Sequence, residues 1–233
     1  MEWNLNELRK EVTRSQGKVA SFKLSSFLNS ICERQEFARY HFHEARDSLS
    51  QYMDDSIPEM ELFRLAFSGK GETREDFSER KFKARANVLA CVQSTHAVSD
   101  ILAHAIYYAL NLDCAKTERD ITIASVIRWL QTRSEYTVLC GLLNELVSHD
   151  DYGYMCALAN HSKHRSIVSL GLNFNFRKAG NEMKELVFPD FSYGGKQYSK
   201  RMVFEFLESE CDRQNRSIVS IGNVINALAK EMR

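Results

Sequence analysis

Proline is almost missing from this chain: 233 residues hold two, Pro58 and Pro189. Interior proline breaks helices, and the interval between these two carries few glycines and long runs of helix formers. The sequence therefore predicts a mainly α protein, a helical bundle. Net charge is also missing, because 31 basic and 31 acidic side chains cancel. No global field draws polyanions, which excludes a DNA-coating role and confines any anion site to a local patch. The six cysteines, Cys32, Cys91, Cys114, Cys140, Cys156 and Cys211, form no C-x-x-C pair and read as reduced thiols. No window reaches the roughly 18 apolar residues of a membrane span, and Met1-Glu2-Trp3-Asn4 does not open a secretory signal. The expectation is a cytoplasmic protein with no membrane partner.

Several chemistries are excluded by their missing motifs. Gly69-Lys70-Gly71 lacks both the strand-to-helix setting and the Gly-Lys-Ser/Thr ending of a phosphate-binding loop. The serines and cysteines show no nucleophile elbow and no Cys/His signature. Neither a solenoid repeat nor a low-complexity tract is found.

What is present is enough apolar residue, 44%, to bury a core as one domain over 1–233. A bundle core is expected over 20–170, a β-hairpin over 170–198 and a C-terminal helix over 199–233. The periodicity predicts helices from about Ser25 to Tyr52, Glu59 to Phe67, Arg74 to Leu112, Asp120 to Leu130, Ser134 to Ser148, Tyr152 to Val168 and Lys200 to Met232. Ser68 to Thr73 reads as a loop, and Asp54 to Pro58 as a break. Leu170, Leu172, Phe174 and Phe176 alternate with small or polar residues, and Met183 to Phe188 supplies a second extended run.

The most informative stretch is Asn160-His161-Ser162-Lys163-His164-Arg165. On a helix, Asn160, Lys163, His164 and Ile167 share one face, so an amide, an ammonium and an imidazole sit beside an apolar anchor, a combination suited to phosphate. A basic cluster at a helix end also has a plain explanation as charge complementing the helix dipole. His96, Asp100 and His104 form a polar stripe on a helix that otherwise reads as buried. The expectation is that this stripe faces the cluster, with Asp100 accepting from Lys163 or Arg165 and orienting His164. His41, His43, Glu44, His96, Asp100, His104, His161 and His164 offer nitrogen and oxygen ligands for a metal. Their spacing lacks the Glu-x-x-His of helical metal sites, so neither metal nor cofactor is expected.

The helix carrying Ser94-Thr95-His96-Ala97-Val98-Ser99-Asp100-Ile101-Leu102-Ala103, with the later Asn160-x-x-Lys163-His164-Arg165, resembles the HEPN-type helical domains of prokaryotes over roughly residues 25 to 170. The resemblance implies RNA as partner, a homodimer or a protein partner, and a metal-independent ribonuclease of a toxin-antitoxin, stress or antiphage-defence system. It implies His164 as general base or acid at a ribose 2′-hydroxyl, Lys163 or Arg165 stabilising the phosphorane, and Asn160 holding the phosphate. The family signature is an arginine followed after four to six residues by histidine. Here Asn160-x3-His164 stands in its place, while Arg34-x6-His41 fits the spacing on the first long helix. The alternative is a noncatalytic interaction module in which the cluster is structural.

Overall fold

A computed structural model describes residues 2–53, 57–67, 71–113, 115, 117–174 and 184–232. The protein is mainly α. Its helices are α1 (Leu5–Gln16), α2 (Lys18–Met53), α3 (Glu59–Phe67), α4 (Glu72–Ala109), α5 (Ile123–Leu130), α6 (Thr137–Ser148), α7 (Asp150–His164) and α8 (Val203–Glu231). Between α7 and α8 lie β1 (Gly171–Phe174), β2 (Lys184–Phe188), β3 (Phe191–Tyr193), β4 (Lys196–Tyr198) and β5 (Arg201–Met202). Two compact units are interleaved along the chain. One comprises residues 1–36, 94–153 and 210–233, and the other residues 37–93 and 154–209.

The first unit is all helix. Asn4 caps α1 by accepting the Glu7 N–H at 3.0 Å, and Gly17, at φ 87°, turns the chain from α1 into α2. The first helix expected from sequence, beginning at Ser25, therefore starts earlier, at Lys18, and has a separate helix before it. Most of α1 is charged or polar and only Leu8 and Val12 are buried, so its apolar stripe is two residues wide and weak as a sequence signal. Trp3 Nε1 donates to Asn226 Oδ1 at 3.0 Å, and the Arg14 guanidinium donates to the carbonyls of Lys230 and Met232 at 3.0 and 2.9 Å. The second contact places a cation on the negative end of α8. Helix α5 opens with a reciprocal cap, in which Ser125 N–H donates to Thr122 Oγ1 at 3.1 Å and Thr122 N–H to Ser125 Oγ at 2.9 Å.

The second unit packs helix segments against the strands. Leu49, Leu62, Phe77, Leu158, Leu186 and Phe206 are among its buried side chains. Where a single hairpin was expected there are two antiparallel sheets, one ordered β1-β2-β5 and the other β3-β4. Pro189 follows β2 and has no N–H with which to extend it. Gly194 and Gly195, at φ 61° and 80°, make the two-residue turn between β3 and β4, the conformation that tight hairpins require and that glycine adopts freely. Phe176, Met183 and residues 54–56 and 68–70 of the expected elements lie outside the described residues. Glu72 and Thr73, expected in a loop, form the first turn of α4.

Candidate functional site

Helix α7 stops at His164, and the Arg165 N–H closes its last turn on the His161 carbonyl at 3.0 Å. This corrects the helix expected to run to Val168. Beyond Arg165 the burial alternates, with Val168 and Leu170 buried and Ser169 exposed, as in an extended chain approaching β1. Ile167 is therefore not an anchor on the helix face of Asn160, Lys163 and His164, and it is 57% exposed.

The cluster itself faces solvent. Asn160 is half-buried, while Lys163, His164 and Arg165 are exposed. His161 is half-buried; its Nδ1 meets the Ser166 carbonyl, which can only accept and so holds the ring proton on Nδ1. The same imidazole packs 6.0 Å from Phe191 and 6.1 Å from Tyr193, centroid to centroid. The Arg165 guanidinium lies 5.1 Å from the Tyr193 ring. The β3-β4 hairpin continues this pattern, since Lys196 sits 5.4 Å from the Tyr198 ring, Tyr198 stacks on Phe191 at 4.9 Å, and Arg201 lies 4.4 Å from the Tyr154 ring. Lys200 is pinned by its backbone N–H to Asp190 at 2.7 Å and by its ammonium to Asn173 at 3.3 Å. Cations on aromatic rings at the end of a helix and along a two-residue-turn hairpin make one basic, aromatic face within the second unit. The sequence carries the matching charge: residues 160–202 hold eight lysines and arginines against three acidic residues, in a chain whose total is zero.

The stripe on α4 behaves differently from its sequence reading. His96 is buried, Asp100 is exposed and His104 is half-buried, so the helix is not apolar all round at these positions. Val98, Leu102, Ala103 and Ile106 take the buried side. The His104 ring donates from Nδ1 to the Asp100 carbonyl at 2.9 Å and stacks 5.0 Å from Phe27. All three stripe residues belong to the first unit, whereas Asn160, Lys163, His164 and Arg165 belong to the second. Neither unit by itself contains the expected pairing of Asp100 with Lys163 or Arg165. Arg34 and His41 are likewise divided between the units, and His41 Nδ1 bonds Asn87 Oδ1 at 2.8 Å.

Among the described residues, one His/Asp/Glu group has ligand-type atoms within 4.8 Å of one another: His149, Asp151 and Glu210. None of the histidines singled out from sequence belongs to it. Its chemistry is that of an ion pair. The fully buried Glu210 is gripped by Arg213 at 2.7 and 2.8 Å and by Gln214 at 2.7 Å, so its charge is already neutralised. His149 Nδ1 accepts the Asp151 N–H at 3.2 Å at the start of α7. A metal ion here would compete with a guanidinium for the same carboxylate. The five cysteines among the described residues are reduced thiols, two of them buried. No described helix is long and apolar enough to cross a membrane.

No family model, curated protein or solved structure matches the chain.

Proposed function

We propose that this protein is a HEPN-like RNA-binding protein that engages unpaired RNA through the face formed by the end of α7 and the β3-β4 hairpin. The observation that carries the reading is the exposure of Lys163, His164 and Arg165, the last with its guanidinium 5.1 Å from the Tyr193 ring. Phosphates need accessible cations, and unstacked bases need ring faces on which to lie. In its catalytic form the reading makes His164 the general base: the imidazole takes the proton of a ribose 2′-hydroxyl, the 2′-oxygen attacks phosphorus, and the 5′-oxygen leaves with a proton from solvent. Lys163 and Arg165 offset the charge on the phosphorane, and Asn160 donates to a non-bridging oxygen. No metal enters these steps. The HEPN resemblance extends the proposal to a cytoplasmic homodimer in a prokaryotic stress, toxin-antitoxin or antiphage-defence system.

The test is incubation of total cellular RNA and tRNA with wild type and with His164→Ala, EDTA present. Cleavage by wild type that falls at least 100-fold in the variant is the expected result for the catalytic form. Retained binding without cleavage by either protein reduces the proposal to RNA binding, and absence of binding by both overturns it.

A second reading, a noncatalytic interaction module, is favoured by α3. Met60, Phe63 and Phe67 are 55%, 38% and 65% exposed along one helical stripe, a composition suited to a protein partner. Asparagine at 160, in place of the arginine of the family signature, points the same way.

A further inference from the structure

Two imidazoles stand one turn apart at the end of α7, and only one of them is oriented. His164 is exposed and has neither a hydrogen bond nor a ring contact among the described residues. His161 is half-buried, with Nδ1 on the Ser166 carbonyl and the Phe191 and Tyr193 rings at 6.0 and 6.1 Å. A carbonyl only accepts, so Nδ1 keeps its proton and Nε2 is the nitrogen that gains or loses one. Nε2 has no hydrogen-bond partner among the described residues and, unlike the Tyr154 hydroxyl, is not sealed from solvent. The Ser166 bond is made whether Nε2 is bare or protonated, so a proton can come and go there without turning the ring. Arg165 follows at i+4 with its guanidinium 5.1 Å from the same Tyr193 ring. Residues three and four apart on a helix are neighbours, about 5–6 Å between Cβ atoms, so His161, His164 and Arg165 surround one spot on the last turn of α7.

RNA cleavage by the 2′-hydroxyl needs more than one proton carrier. Displacement at phosphorus is in line, with the attacking 2′-oxygen and the leaving 5′-oxygen on opposite sides. An imidazole placed to take the 2′-hydroxyl proton is therefore badly placed to protonate the 5′-oxygen, and an alkoxide leaves poorly unless it is protonated as it departs.

We propose that His161 is the general acid of this site, and that the solvent proton needed by the departing 5′-oxygen arrives through its Nε2. The inference rests on the catalytic form of the RNA reading. Nε2 first takes a proton from water. His164 then removes the 2′-hydroxyl proton, and the 2′-oxygen forms its bond to phosphorus. The bond from phosphorus to the 5′-oxygen breaks with its electron pair on oxygen, which takes the Nε2 proton. The products are a 2′,3′-cyclic phosphate and a 5′-hydroxyl, and both imidazoles return to their starting states by exchange with water. Arg165, set on the same ring as His161, keeps its charge beside the phosphorane.

The test uses the full chain, a single-stranded RNA, and the same RNA with sulfur in place of the scissile 5′-oxygen. A thiol is far more acidic than an alcohol, so sulfur departs as thiolate without a proton and has no need of a general acid. His161→Asn keeps an N–H for the Ser166 carbonyl and removes the nitrogen that carries the proton. It is expected to bind RNA as wild type does, to cleave the oxygen substrate at least 100-fold more slowly, and to cleave the sulfur substrate at nearly the wild-type rate. His164→Ala is expected to be slow on both, because the 2′-hydroxyl still needs a base. Equal losses on both substrates in His161→Asn would make His161 a packing residue and overturn the inference, with the RNA reading left standing. Undiminished cleavage of the oxygen substrate by His161→Asn would do the same. Wild type that binds RNA and cleaves neither substrate overturns the inference and reduces the reading to binding, whereas wild type that does not bind RNA overturns both.

Discussion

Tyr154 is the residue whose surroundings and chemistry agree least. It is 2% exposed, ringed by Phe188, Phe191, Tyr198 and Phe206, and its hydroxyl has no hydrogen-bond partner. A buried, unpaired hydroxyl costs about 1–3 kcal/mol, while the ring keeps its packing and its contact with Arg201 when the oxygen is removed. Tyr154→Phe is therefore expected to stabilise the protein by about 1 kcal/mol at pH 7, read by urea denaturation. Burial also pushes the Tyr154 pKa up to about 12, and burial with a bond to Glu118 does the same for Tyr108. Above pH ~10 an unfolded chain loses phenolic protons that the folded chain keeps, so the native state binds more protons and stability falls as pH rises. Replacing both tyrosines with phenylalanine is expected to flatten that alkaline decline. An equally steep decline in the double variant would place its origin elsewhere.

At the scale of elements, two helical glycines separate intrinsic propensity from packing. A Cβ at Gly153 in α7 meets nothing within 4 Å, whereas at Gly222 in α8 it would fall inside the Trp3 indole. Gly153→Ala is expected to gain about 0.5–1 kcal/mol from helix propensity alone. Gly222→Ala is expected to lose about 2 kcal/mol despite the same gain, because it displaces Trp3 and its bond to Asn226. A red-shifted Trp3 emission in Gly222→Ala, against an unchanged spectrum in Gly153→Ala, checks the contrast. The same pair explains what could be read from sequence. Long helices announce themselves, α8 through sustained apolar periodicity and α4 through an unbroken run of helix formers without proline or glycine. The docking of α1 on α8 is invisible there, because it depends on a glycine in one helix meeting a tryptophan 219 positions earlier. The end of α7 is hidden for a related reason: Ile167 and Val168 continue a helical spacing, and only the pairing of Gly171 with Val187 in the β1-β2 ladder shows that the chain is already extending. The cluster at Asn160, Lys163, His164 and Arg165 was visible as a motif. Its aromatic partners on β3 and β4 were not, since Tyr193 and Tyr198 lie some thirty residues on and reach it only through the sheet.

For the molecule as a whole, the decisive quantity is the distribution of charge. Zero net charge argues against affinity for polyanions, yet the segment 160–202 has an excess of five positive charges, and the rest of the chain carries the opposing five negative ones. A protein so divided should bind RNA by one face, repel it elsewhere, and depend on salt only through the cations of that face. If about four phosphates are neutralised by Lys163, Arg165, Lys196 and Lys200, log K for single-stranded RNA should fall with log salt at a slope of roughly −3. Arg165→Ala should shallow that slope by about 0.7, and it should also lose the stacking that the guanidinium shares with Tyr193. Lys10→Ala, on a cation of α1 outside the segment, should leave the slope where it was. Equal effects from both substitutions would mean that RNA senses the chain's charge diffusely, and the basic face at the end of α7 would then be dipole-complementing surface and nothing more.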